Sequence, residues 1–220
     1  MNKKEKINAS LYEYIRSGHL LNKRFETIKE LIYRTYKNKE KIGEFGCGTG
    51  NLSYLLSRKF ISLDFEASDI NETFINYAKE KYKNKNLRFF ISDVEKINLS
   101  NKYNTVITVD LLHHVTNIKK IIYNIRKSLI DGGHWIIVEP NIYSPYIFLL
   151  QKIMEDESIF LQNKFEQYIK EYFVLAIKQN RVLIPHFIKN PPKMLTFIES
   201  KFETLPFLGG DVVYLLKTIN

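Results

Sequence analysis

Between Lys41 and Pro140, short runs rich in β-branched and aromatic residues alternate with stretches of helical periodicity, and this order restricts the fold more than any other feature of the chain. The extended runs begin at Lys41 and recur at 61–68, 87–91, 103–109 and 131–139, while helical stretches fall at 51–59, 71–83 and 117–129. A strand, a helix and a second strand of the same sheet make a parallel pair joined by a right-handed crossover. The segment therefore predicts a parallel sheet, with Asn71 and Asn117 as N-caps of two of its helices.

The predicted strands end repeatedly in polar residues. In an open α/β sheet the ligand crevice lies outside the carboxyl ends of the strands, so such residues converge in space although they are scattered in sequence. The first strand runs into Glu44-Phe-Gly-Cys-Gly-Thr-Gly50. Glycines at 46, 48 and 50 let the backbone adopt positive φ and approach a ligand closely. Their GxGxG spacing differs from the GxGxxG that seats a pyrophosphate on a helix N-terminus, so no pyrophosphate is required. Glu44 fits the same conclusion, because a carboxylate suits a cationic ligand better than a phosphate. Asp69 ends the second run about twenty residues on, where such folds place a ribose-binding acid. Asp93 closes the third run and Asp110 the fourth.

From Lys41 to Pro140 the chain resembles the class I S-adenosylmethionine-dependent methyltransferases. Glu44 to Gly50 looks like the family's first motif, Asp69 like its ribose acid, Ser92-Asp93-Val94 like its adenine-contacting segment, and Asp131-Gly-Gly-His-Trp-Ile-Ile-Val-Glu139 like its turn into strand five. The resemblance implies S-adenosylmethionine as cofactor. The loop of Glu44, Gly46, Cys47 and Gly48 would pass under the methionine moiety, Asp69 would bind the ribose, and Asp93 the adenine amino group. Ile70 and Val94 would sandwich the ring. Val109-Asp110-Leu-Leu-His113-His114-Val115 would flank the sulfonium and its methyl. Asp131-Gly132 replaces the family's frequent Pro-Gly and keeps the permissive glycine.

The fold class expected is α/β: a Rossmann-like, seven-stranded, mostly parallel sheet with an antiparallel C-terminal strand, N-terminal helices and a helical insertion after strand five. Apolar spacing from Ile7 to Lys39 predicts two helices, and residues 1–40 are read as a cap packed across the cofactor mouth. Residues 41–140 and 191–220 make the cofactor domain. The aromatic-rich segment 141–190 reads as a helical insertion forming a lid over substrate. A crossover helix is expected at 194–201, then a terminal hairpin of 202–205 with 212–216 around Gly209-Gly210-Asp211.

At 220 residues the chain can bury a large core unaided, and its single cysteine excludes an internal disulfide. Cys47 reads as a small loop residue, since no base neighbours it. The basic start is followed by no apolar core, so no secretory signal is read and the cytoplasm is the expected compartment. The longest apolar stretch, 143–150, is far short of the ~20 residues that span a bilayer. The net charge is +9, and residues 1–41 hold eleven Lys or Arg against five acids, a net of +6. Such a region attracts nucleic acid or other anions, or is a solvated helix face, the commoner case. Nucleic acid is thus the less favoured partner, a small-molecule acceptor the favoured one. The sequence carries no signal of oligomeric state.

Methyl transfer from a sulfonium chiefly requires alignment of nucleophile, methyl and sulfur. A base assists an oxygen or amine nucleophile, and His has the suitable pKa. His113 and His114 are the candidate catalytic residues, each with cofactor contact or backbone bonding as the plainer role. Glu139, Asn141, Tyr143, Tyr146 and His186 are candidate substrate ligands, Glu139 with a structural role as its alternative. No spacing of acids and histidines calls for a metal. The Pro-Pro-aromatic element of nucleic-acid amine methyltransferases is missing after strand four, where Asp110-Leu-Leu-His113 stands. The expected function is methyl transfer to an oxygen or nitrogen of a small-molecule or lipid-like acceptor. The alternatives are a nucleic-acid-modifying methyltransferase using the basic helices, and a non-catalytic S-adenosylmethionine-binding protein.

Overall fold

The computed structural model describes residues 8–36, 39–153 and 160–219. Seven strands, β1 (Lys41–Phe45), β2 (Asp64–Asp69), β3 (Leu87–Ile91), β4 (Tyr103–Val109), β5 (Leu129–Pro140), β6 (Phe173–Arg181) and β7 (Asp211–Thr218), form one sheet in the order β3-β2-β1-β4-β5-β7-β6. Strands β1 to β5 pair in parallel, and β7 runs antiparallel to both neighbours. This is the expected seven-stranded, mostly parallel sheet. Helices α1 (Ala9–Ile15) and α2 (His19–Thr35) precede it. Helices α3 (Asn51–Lys59), α4 (Glu72–Lys81) and α5 (Ile118–Ser128) make the crossovers, and α6 (Pro145–Ile153), α7 (Gln162–Ile169) and α8 (Lys193–Phe202) follow β5.

Alternation along the central strands feeds two cores, because successive side chains point to opposite faces. On β5, Ile136 and Val138 join Ile28, Leu31, Leu56 and Ile75 from α2, α3 and α4, whereas Trp135 and Ile137 join Ile121, Ile125 and Phe165 from α5 and α7. Each such side chain, fully buried, contributes roughly 1.5–3 kcal/mol. The buried Trp135 indole donates to Thr108 Oγ1 at 3.0 Å, so its one polar atom is satisfied. Asn71 and Asn117 cap α4 and α5 as expected, accepting from Phe74 N at 3.3 Å and Lys120 N at 3.1 Å.

Four expectations from the sequence differ in the structure. β2 starts at Asp64, not Ile61, which lies exposed in the turn before it. β5 starts at Leu129: its partner register jumps from Tyr103↔Leu129 to Thr105↔His134, and the intervening bulge uses Gly132 at φ +75°. Most importantly, 141–190 is not wholly helical. It contains α6, α7 and the edge strand β6, and β6 is the antiparallel partner of β7. The terminal hairpin of 202–205 with 212–216 does not form, since Phe202 ends α8 and the next residues are turns.

Candidate active site

The loop after β1 is built by backbone geometry. Gly46 and Gly48 take φ of +74° and +54°. A Cβ at Gly46 would fall 2.9 Å from the Leu111 side chain, and one at Gly48 would fall 2.8 Å from the Tyr12 ring. The neighbouring strand fixes the loop: Gly46 N and Cys47 N donate to Ser68 O at 2.8 and 2.9 Å, and Gly48 N donates to Asp69 Oδ2 at 2.8 Å. Asp69 Oδ1 accepts from Asn71 N at 2.8 Å. Each Asp69 oxygen retains a second lone pair.

Glu44 is buried under this loop and accepts from Ser53 Oγ. Burial pushes its carboxyl up to about 7, against the pull of Ser53 and with the Asp69 charge adding to the rise. The Cys47 thiol is likewise pushed well up by burial, then by Glu44 and Asp69, which suits a loop residue and not a nucleophile. Tyr12, Arg16, Glu44, Gly46, Cys47 and Asn51 line a narrow cleft over the loop. Among the described residues Asn51 Nδ2, in this lining, is buried without a hydrogen-bond partner, as are Thr49 Oγ1 in the loop and Ser68 Oγ on the adjoining strand. Buried polar atoms normally have partners, so three orphans around one bare loop fit a polar ligand. Further along the strand ends, Asp93 accepts from Glu95 N at 2.9 Å and pairs with Lys96 at 3.0 Å, which holds its carboxyl below the ordinary value. Val94 is buried and Ile70 is exposed.

A second, larger chamber of about 190 Å³ shares Arg16 and Arg24 with the cleft. Its other polar walls are Asp110, His113, Tyr146, His186 and Asp211. Arg24 lies buried between two carboxylates. Its Nη1 and Nη2 reach Asp110 at 2.7 and 3.0 Å, and its Nε and Nη2 reach Asp211 at 2.8 and 3.0 Å. Burial opposes its charge, but Asp211, with help from the Glu139 and Tyr12 charges, tips the balance and raises its pKa. Arg16 also pairs with Asp110, whose backbone sits at φ +50°. The 182–189 segment is locked to the N-terminal helices: Glu199 accepts from Leu183 N and Ile184 N at 2.9 Å and contacts His19 Nε2 at 2.6 Å.

The structure redistributes several expected roles. Glu139 is fully buried and accepts from Leu111 N, Leu112 N and His113 Nδ1 at 2.9, 2.7 and 2.7 Å, so it organises the loop after β4, in line with the structural role weighed for it. Asn141, also fully buried, donates to Pro206 O and Gly209 O and accepts from Gln162 Nε2; it ties the segment after β5 to the turn before β7. Tyr143 is exposed and donates to Asn163, outside the chamber. Of the histidines, His113 and His186 line the chamber, whereas His114 is exposed and lies against His113 with centroids 4.0 Å apart and the rings tilted by 45°. Tyr146 lines the chamber as expected. Sequence reasoning missed Tyr12, Arg16, Arg24 and Asp211. Arg24 carried a readable signal, because it falls between Leu20 and Ile28 on the buried stripe of α2, where an unpaired charge is not tolerated.

The family described as "Methyltransferase domain" matches residues 37–205, most of the chain. The chain belongs to this family. Its sheet order, glycine loop and acids at strand ends place it among the class I S-adenosylmethionine-dependent methyltransferases. This methyltransferase is 28% identical over 131 residues to the malonyl-[acyl-carrier protein] O-methyltransferase of Bacillus anthracis, covering 58% of the chain and 49% of that protein. It is 31% identical over 120 residues to the ubiquinone biosynthesis O-methyltransferase of Rickettsia akari (strain Hartford), covering 52% and 47%. The chain thus spans about half the length of these curated relatives. In fold it resembles the N-methyltransferase NodS from Bradyrhizobium japonicum WM9, solved in complex with S-adenosyl-L-homocysteine, with a TM-score of 0.66 at 10% identity over 90% of this chain and 86% of that one. The cofactor of the family is S-adenosylmethionine. Among the described residues, no helix is long and apolar enough to cross a membrane and no group of acids, histidines and cysteine could hold a metal.

Proposed function

We propose that this methyltransferase transfers a methyl group from S-adenosylmethionine, held over the glycine loop, to an oxygen or nitrogen of a small acceptor in the adjoining chamber. The observation that carries the reading is the shared wall: the narrow cleft over the glycine loop and a half-open chamber meet at Arg16 and Arg24. When bound, the cofactor supplies an electrophilic methyl on a sulfonium. Asp69 has lone pairs for ribose hydroxyls, and Asn51 offers a buried donor for the methionine carboxylate. Glu44 complements positive charge beside the loop. Asp93, Val94 and Ile70 are assigned to the adenine.

Helix α1 closes the cleft through Tyr12 and excludes water. α6 carries Tyr146 and Ile147 into the chamber wall and is read as the lid element. Glu139 fixes the tautomer and orientation of His113, which lines the chamber as a positioned base or contact. The names of both curated relatives, each an O-methyltransferase, support oxygen over nitrogen. We place the reaction in the cytoplasm, in keeping with a sole, buried, free cysteine.

Incubation with methyl-labelled S-adenosylmethionine, a metabolite extract and, separately, bulk RNA tests this. Label in a small product supports the reading. Label in RNA alone, or tight cofactor binding with no label transferred to either, overturns it.

A further inference from the structure

The charges lining the acceptor chamber cancel one another. Two cations, Arg16 and Arg24, face two anions, Asp110 and Asp211. Arg24 is held by bidentate contacts on both sides, and Arg16 pairs with Asp110. A carboxylate acceptor would therefore enter without a counter-ion of its own, and an ammonium acceptor would meet two guanidinium groups whose partners are already engaged. A charge buried unpaired is strongly disfavoured. The remaining walls are aliphatic, with Leu20, Ile147, Val182 and Ile184 among them. Besides His113, which is tied to Glu139, two polar side chains break this surface. The Tyr146 hydroxyl is buried without a partner among the described residues. The His186 imidazole, on the exposed side of the chamber, has its pKa lowered by partial desolvation and then by the positive charges of Lys189, Arg16 and Arg24, which favours its neutral form. A phenol that needs a partner and a neutral imidazole that can accept a proton together match one hydroxyl group.

We infer that the acceptor is a neutral, mainly apolar molecule bearing a hydroxyl, which is recognised by Tyr146 and His186. The inference rests on the reading of the chamber as the acceptor site and narrows it, setting aside carboxylate and amine acceptors. At about 190 Å³ the chamber holds one substituted ring or a short branched chain. His186 and Tyr146 are the specificity-determining residues.

Three probes of matched shape test this by calorimetry on the full chain saturated with S-adenosylhomocysteine: 4-ethylphenol, 4-ethylbenzoate and 4-ethylbenzylamine. The phenol should bind at least tenfold more tightly than either ion, and Tyr146→Phe should weaken it about fivefold to tenfold. Asp211→Asn, by leaving Arg24 less neutralised, should shift preference toward the benzoate. Benzoate or benzylamine binding as tightly as the phenol to the wild-type protein overturns the inference, as does binding of none of the three, and either result leaves the cofactor assignment standing. Failure of S-adenosylhomocysteine to bind in the first step overturns the cofactor assignment itself and the inference with it.

Discussion

The ring of Tyr12 lies across Gly48 so closely that a Cβ placed on the glycine would fall 2.8 Å from it. The first helix of the cap and the second glycine of the loop are thus one packing unit. Phe74 backs the same tyrosine, with ring centroids 4.5 Å apart. Gly48→Ala should cost about 1–3 kcal/mol of stability, through left-handed strain and displacement of the ring, and should weaken S-adenosylmethionine at least tenfold. Urea denaturation and calorimetry measure the two effects. Adding Tyr12→Ala should relieve the clash but not the strain. A fully stable Gly48→Ala protein would contradict the described contact.

Arg24 holds Asp110 and Asp211 together from inside α2. Replacement by Met keeps the length of the side chain but leaves Asp211 without its guanidinium partner and Asp110 with Arg16 alone, in a buried site. A loss of about 3–5 kcal/mol is expected, read as a lower urea midpoint. Further substitution of both acids by Asn should recover most of it. If Arg24→Met alone costs under about 1 kcal/mol, the network is not what joins α2 to the sheet.

Much of this was legible in the chain. The five parallel strands and the loop at Gly46 and Gly48 could be read because period-two runs, glycines and strand-end acids are local signals. The edge strand β6 could not. Val174 and Leu175 are exposed, its register slips between Leu175 and Ile177, and the aromatic spacing of Phe165, Tyr168 and Tyr172 just before it mimics a helix. In the sequence Glu139 and Asn141 read as candidate substrate ligands, Glu139 with a structural role as its alternative. Their hydrogen bonds run to backbone atoms of Leu111, Leu112, Pro206 and Gly209, which sequence does not bring together. Asp211 needed the tertiary contact with Arg24 to acquire meaning.

Glu44 makes stability depend on pH. Its carboxyl is raised from an ordinary 4.5 to about 7, so the native state binds more protons than the unfolded chain between those values. The associated stability is complete below 4.5 and is lost as pH rises through 7. Glu44→Gln stays neutral throughout. Relative to the wild type it should therefore gain up to about 3 kcal/mol above pH 8 and little at pH 4.5. Denaturation curves of both proteins at a series of pH values check this, and a pH-independent difference would contradict it.

Removing Glu139 leaves two buried amides and His113 without their acceptor. Glu139→Ala should destabilise by about 3 kcal/mol or more, and Glu139→Gln, which keeps a carbonyl for Leu111 and Leu112, by clearly less. Thermal unfolding of the two variants distinguishes this role from a substrate contact, for which stability would be unchanged while acceptor affinity fell.

The central claim is that the bare loop after β1 and the acid ending β2 hold S-adenosylmethionine. Titration calorimetry of the cofactor into wild-type, Gly46→Val and Asp69→Ala proteins tests it most directly, with cooperative unfolding recorded for each. The account expects one site in the wild type and no measurable binding in either variant, both still folded. Undiminished affinity in both folded variants would contradict it.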